Sequence, residues 1–172
     1  MSDAANVVII GAGHAGGTAA ALLRQYGHEG KITLVGDEPI APYQRPPLSK
    51  AWLKGEADAE SLALKPLAFY AEHSIAFRPL VRAVELNRGA KTVALSDGTA
   101  VGYDALILAT GARAIALPIP GMDLSGVMFL RTAAHAEALK AAIGPGKTLA
   151  VVGGGYIGLE VAASGRALGA EV

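Results

Sequence analysis

Gly11, Gly13 and Gly16 stand in G-x-G-x-x-G spacing directly after the apolar run Val7 to Ile10. In that position three glycines do chemistry without a reactive side chain. Gly11 permits the tight turn out of a strand, Gly13 leaves room for a pyrophosphate to approach the backbone, and Gly16 lets the following helix pack closely on the strand. The free amides and dipole of the helix start then favour the phosphates' negative charge. A helix to about Tyr26, a stop at Gly27 and a second strand Ile32 to Val35 follow, and Asp37 lies 21 positions past Gly16. That is where a carboxylate meets a ribose hydroxyl. The neighbouring Glu38 reads as solvated.

The same phrase recurs 142 positions later, with Gly153, Gly155 and Gly158 in the places of Gly11, Gly13 and Gly16, and with Tyr156 and Ile157 between the last two. The register holds beyond the glycines. Ala20 and Ala21 correspond to Ala162 and Ala163, Arg24 to Arg166, and Gly27 to Gly169, so two whole βα units match. The paired motifs by themselves point to two bound nucleotides; the economical assignment is a flavin at the first and a nicotinamide at the second, with hydride passing between them. His14 lies inside the first phosphate turn and reads as a local hydrogen-bonding or filling residue. His28, His73 and His135 form no metal-ligand grouping, so no metal site is expected.

These loops need elements to position them, and the sequence supplies an α/β order. Gly36 to Pro47 carries four prolines and reads as a stiff loop. Short helices are expected over Leu48 to Lys54 and Pro66 to His73. Val81 to Leu86, Lys91 to Leu95 and Thr99 to Tyr103 alternate with period two, separated by Asn87-Arg88-Gly89-Ala90 and Ser96-Asp97-Gly98, and predict an antiparallel meander. Ala105 to Ala109 is continuously apolar, as a buried parallel strand should be. Thr132 caps a predicted helix from Ala133 to Ile143, and a strand is expected over Thr148 to Val152. The fold class is α/β: a Rossmann-like nucleotide-binding domain with an antiparallel β-meander over residues 1–117, followed at 118–172 by the start of a second Rossmann-like domain. The acid completing the second unit is expected about 20 positions past Gly158, so the reading is the front part of a longer enzyme.

Composition narrows the partners. Fifteen basic and fifteen acidic residues give no net charge, which argues against a nucleic-acid or anionic-membrane surface. The hydrophobic content is 52%, yet Thr110, Gly111 and Arg113 break the longest apolar region before it could span a bilayer. Met1 to Asn6 lacks the pattern of a secretory signal, so a cytoplasmic protein is expected.

The segments VVIIGAGHAG, VGDEPIAPYQRPPLSKAWL, LSDG, YDALILATGAR, FLRT and VVGGGYIGLEVA resemble, in order and spacing, the FAD-dependent pyridine-nucleotide reductases. Among these the likeness is to the ferredoxin reductases, of the putidaredoxin-reductase type, that serve bacterial monooxygenases and ring-hydroxylating dioxygenases. The resemblance implies FAD in the first site, with Gly11, Gly13, Ala15 and Gly16 at its pyrophosphate, Asp37 at its ribose and Ala83 at its adenine. It implies that Thr110 and Gly111 close over the cofactor and that Arg131 reaches it from the connector. NAD(P)H is implied at Gly153, Gly155, Tyr156, Ile157 and Gly158, with NADH the family's usual donor.

For several residues the bare sequence offers a plainer reading beside the implied one. Lys50 alone is a solvated charge; in the matching PPLSK motif it reaches the flavin ring and pairs with Glu160. Glu160 alone is an acid favoured by a helix's first turn. Tyr156 is either a gate over the flavin where nicotinamide stacks or an aromatic packed on the sheet. Arg45 either positions the flavin ring or anchors the proline-rich loop. Thr110 alone is a strand-end turn residue, and Arg131 a surface charge.

Cysteine is absent, and this chooses a branch. Relatives that reduce disulfides carry a thiol pair after the second strand, where this chain has Tyr43-Gln-Arg-Pro-Pro-Leu-Ser-Lys. Electrons must then leave the flavin directly for an outside acceptor, and the resemblance to the ferredoxin reductases implies that this is a [2Fe–2S] ferredoxin. The alternatives are a rubredoxin reductase, an NADH oxidoreductase like apoptosis-inducing factor, or, for these 172 residues alone, a nucleotide-binding module without turnover.

Overall fold

The computed structural model describes residues 4–172; residues 1–3, where the stretch read for a secretory signal begins, lie outside the described residues. In chain order the elements are β1 (Val7–Ile10), α1 (His14–Gln25), β2 (Ile32–Val35), a 3₁₀ turn (Pro46–Ser49), α2 (Ala59–Leu62), α3 (Leu67–Glu72) and β3 (Ile75–Arg78). They continue with β4 (Ala83–Asn87), β5 (Thr92–Leu95), β6 (Ala100–Gly102), β7 (Ala105–Leu108), α4 (Ala133–Ala142) and α5 (Tyr156–Ala167). They fall into two compact units, Met1–Gln44 with Ala63–Gly111, and Arg45–Leu62 with Ala112–Val172.

The first unit is built on a parallel sheet of order β3-β2-β1-β7. β1 is central and buried along its length, and its pleat sends alternate residues to opposite faces. Val7 and Ile9 join Ala20 of α1, Tyr70 of α3, Ile32, Leu34 and Ile75 in one core. Val8 and Ile10 join Val35, Val93 and Leu95 in another. Val93 and Leu95 belong to β5, the middle strand of the antiparallel β4-β5-β6 sheet, so helices cover one face of the parallel sheet and the meander the other. That two-sided cover is why β1 reads as an unbroken apolar run and why β2 is buried at every position, Thr33 included.

Three expectations for this unit need amendment. β3 was not anticipated: of its four residues only Ile75 is buried, so the strand carries almost no periodic signal, and it is entered through Ser74 at φ 52°. β7 is an edge strand rather than a buried one, with Ala105 and Leu108 exposed, because no strand pairs its free edge among the described residues. Glu38 is not solvated. It is half-buried and accepts a hydrogen bond from Tyr43 Oη at 2.7 Å.

The second unit gathers Leu53, Leu139 of α4 and Val161 of α5 into a small core edged by Leu130, Ile143, Leu149 and Leu168. The expected helix over Leu48 to Lys54 is a 3₁₀ turn over Pro46–Ser49 followed by irregular turns, including Lys50 N–H to Pro47 O at 3.0 Å and Glu56 N–H to Ala51 O at 2.8 Å. Pro46 and Pro47 take the first two positions of the turn, where no helical amide is needed. The bonds beyond it mix three-, four- and five-residue spacings, as in Gly55 N–H to Trp52 O, Lys54 N–H to Lys50 O and Trp52 N–H to Pro47 O, instead of a regular α-helical ladder. Thr132 caps α4 as predicted, its side chain accepting from the His135 amide at 3.2 Å. Thr148 to Val152 does not form a ladder strand. It makes a single parallel bridge, Thr148 with Glu171, held by Leu149 N–H to Glu171 O at 2.7 Å and Glu171 N–H to Lys147 O at 2.9 Å. No helix among the described residues is long and apolar enough to cross a membrane.

The βα crossing leaves no room for a side chain. A Cβ on Gly16 would overlap the carbonyl oxygen of Gly11 and stand 3.3 Å from Ile9 Cγ2, while at Gly158 the matching contact, to the Gly153 oxygen, is 2.6 Å. Alanine in place of glycine gains about 1 kcal/mol of helix propensity, but overpacking against a backbone atom costs about 1–3 kcal/mol. Gly16→Ala should therefore be destabilising on balance and more so than Gly158→Ala, measured as shifts of the urea unfolding midpoint. An increase in the Gly16→Ala midpoint would show that the crossing is looser than drawn.

Candidate functional site

Gly11 turns the chain at φ +106°, a conformation that favours glycine, and its Cβ position is occupied by the carbonyl of Ala109, with Thr110 N at 3.0 Å. This joins the ends of β1 and β7 above the sheet. A cleft opens there, lined by Gly11, Asp37, Ala83 and Thr110 from the expected set, together with Gly36, Val81 and Arg82. Arg82 was missed by the sequence reading; its nearest signal was adjacency to Ala83. Its Nε lies 4.0 Å from the Asp37 carboxylate, and both side chains are largely exposed, so the pair contributes little to stability and leaves Asp37 accessible.

Gly13 is the N-cap of α1 and provides no side-chain cap. The first amides of the helix are thus left for an outside acceptor. Ala15 is exposed in the first turn and Gly16 buried beneath it. Gly111 has φ +68° and is exposed. Gly13, Ala15, Gly16 and Gly111 do not line the cleft. His14 is exposed at the helix start.

The second loop repeats this geometry. Gly153 has φ +108°, Gly155 caps α5 without a side-chain bond, and a Cβ on Gly155 would meet nothing within 4 Å. The 12-residue α5 begins at Tyr156. Tyr156 is 88% exposed and Ile157 57%, so the reading of Tyr156 as an aromatic packed on the sheet is set aside.

Glu160 lies one turn into α5, not in its first turn, so the helix dipole does not explain it. Its carboxylate is held at both oxygens. Lys50 Nζ is 2.8 Å from Oε1, and Ser49 Oγ donates to Oε2 at 2.5 Å. Lys50 sits at the end of the 3₁₀ turn and is half exposed, with Glu160 less so. The hydrogen bond from Lys50, then that from Ser49, lowers the Glu160 pKa below the ordinary carboxylate value.

Arg45 and Arg131 also meet: Arg45 Nη1 donates to the Arg131 carbonyl at 2.6 Å, and Arg131 Nε donates to the Ala112 carbonyl at 3.0 Å. Both arginines therefore tie loops together, and Arg131 is more than a surface charge. No group of three or more His, Asp or Glu able to hold a metal ion occurs among the described residues.

Residues 5–172 match the family model described as pyridine nucleotide-disulphide oxidoreductase. The chain belongs to that family. The disulphide of the family's description has no counterpart here, since this sequence has no cysteine. Rhodocoxin reductase of Rhodococcus erythropolis is 52% identical over 97% of this chain and 39% of its own length. Rubredoxin-NAD(+) reductase of Pseudomonas putida is 45% identical over 96% of this chain and 43% of its own. The crystal structure of a covalent putidaredoxin reductase–putidaredoxin complex superposes with TM-score 0.88 at 42% identity, covering 98% of this chain and 41% of that one. The chain thus spans well under half the length of these relatives.

A pH consequence follows for this family member from Glu160. Its lowered pKa means that the pair stabilises the fold above the ordinary glutamate value of about 4.3 and loses that contribution as pH falls through the lowered value. The gap in melting temperature between wild type and Glu160→Gln should hold steady from neutrality to about pH 5 and narrow below it. A gap independent of pH would show that the carboxylate is not held as described.

Proposed function

We propose that the full-length protein is an FAD-dependent NAD(P)H:ferredoxin reductase, taking electrons from NADH and delivering them singly to a [2Fe–2S] ferredoxin of a monooxygenase or dioxygenase system. In this reading residues 1–117 belong to the FAD-binding domain and 118–172 open the NAD(P)-binding domain. The reaction balances as one NADH and two oxidised ferredoxins giving NAD⁺, two reduced ferredoxins and a proton. The observation that carries the proposal is the Lys50–Glu160 pair, in which the proline-rich motif meets the helix of the second phosphate loop in a chain without cysteine.

The residues present fit FAD. The cap of α1 leaves its amides open, and the cleft by Gly11, Asp37, Ala83 and Thr110 is of the kind a nucleoside enters. In this assignment α1 holds the pyrophosphate, Asp37 accepts a ribose hydroxyl and the backbone at Ala83 meets the adenine. FAD, when bound, supplies the exchange between a two-electron donor and one-electron acceptors. Lys50 contributes a positive charge at the ring, Glu160 orients it, and Tyr156 covers the face that nicotinamide uses. Arg45 and Arg131 hold the segments that approach the cofactor.

A rubredoxin as acceptor is the second reading, favoured by the likeness to a rubredoxin reductase. Anaerobic stopped-flow reduction of the full-length protein by NADH, followed by mixing with a [2Fe–2S] ferredoxin or a rubredoxin, separates the two. Lys50→Ala and Glu160→Ala should slow flavin reduction by about tenfold with flavin content intact. Asp37→Ala should instead lower flavin retention, by about 1.5–3 kcal/mol for a lost charge-assisted hydrogen bond. Full flavin content in Gly13→Val, whose side chain fills the pyrophosphate's space, would show that the first loop has been misassigned.

A further inference from the structure

We propose that Ser49 is a positioning residue: its buried hydroxyl locks the Glu160 carboxylate and thereby sets the direction in which Lys50 presents its ammonium. The inference rests on the reading that Lys50 acts at the flavin ring. Lys50 and Glu160 alone would make a loose pair, since their side chains are 51% and 31% exposed and such pairs lose side-chain entropy for little gain. A carboxylate gripped at one oxygen still turns about its broad terminal torsion. Here Lys50 takes Oε1 and Ser49 takes Oε2, and the plane is fixed.

Ser49 is suited to that task because it is itself immobile. It is 4% exposed and ends a turn opened by two prolines. Its carbonyl accepts a buried hydrogen bond from Ser164 Oγ at 2.8 Å. Ser164 follows Glu160 by one turn on the same face of α5. One residue is thus held to α5 twice, by its hydroxyl and by its carbonyl. The other acceptor near the hydroxyl, Pro46 O, is 3.4 Å away, so the proton is directed at the carboxylate.

The test uses the full-length flavoenzyme as wild type, Ser49→Ala, Glu160→Ala and the double variant, reduced anaerobically by NADH, with flavin per polypeptide measured for each. Acting through Glu160, Ser49→Ala should lower the limiting reduction rate about three- to tenfold while the apparent Kd for NADH stays unchanged. In the Glu160→Ala background the same change should have no effect on the rate. Ser164→Ala, which leaves the hydroxyl in place but frees the carbonyl, should give a smaller loss of rate and provides the test if Ser49→Ala does not retain flavin. Equal slowing by Ser49→Ala in both backgrounds, or no slowing in the wild-type background while Glu160→Ala is slow, overturns the inference and leaves the Lys50–Glu160 reading standing. Wild-type rates in both Lys50→Ala and Glu160→Ala bring down that reading and this inference with it.

Discussion

The contact between the Gly16 backbone and the Gly11 carbonyl is the constraint from which the first unit is laid out. A Cβ there has no space, so α1 can cross directly over the end of β1 only with glycine at that position. Once it does, the helix's first amides project past the end of the sheet, where a phosphate can reach them. The same closeness fixes the neighbours. Ala109 at the end of β7 lies against Gly11, and Gly11 N–H donates to Val35 O at 2.8 Å at the end of β2. The strands on either side of β1 therefore stop at one level, and Asp37 and Thr110, the residues just beyond those ends, come to one cleft.

What the sequence disclosed and what it hid separate along physical lines. Glycines under steric or left-handed constraint were legible, because no other residue fits: φ is +106° at Gly11 and +108° at Gly153, 142 positions apart. The alternating meander was legible because Val93 and Leu95 are buried against a sheet while the residues around them face outward. β3 was hidden because an edge strand with one buried residue has no periodicity to show. Leu48 to Lys54 reads as a helix because Leu48, Ala51 and Trp52 recur at helical spacing, and the mixed three-, four- and five-residue hydrogen bonds that replace the ladder leave no mark on that spacing.

Side-chain partnerships were the least legible part of the site. The Lys50–Glu160 contact came from a family motif and not from spacing, and Ser49, the residue completing it, gave no signal beyond adjacency. Serine has many roles in a chain, and only the burial of its hydroxyl against a carboxylate distinguishes this one. Glu38 shows the converse. Two adjacent acids look equivalent in the sequence, but Tyr43 engages Glu38 and Asp37 alone borders the cleft.

Magnitudes decide which of these contacts hold the second unit together. A half-exposed ion pair, screened by solvent, contributes little, whereas burying one leucine contributes about 1.5–3 kcal/mol. Leu53 is fully buried with Leu139 and Val161, and these residues join the segment after the 3₁₀ turn to α4 and α5. The apolar cluster therefore carries the docking of the turn, and the charges are left with little structural duty. A lysine and a glutamate whose pairing adds only a little to the fold are free to be set by what they face, and the direction in which they point is the property on which their chemistry depends.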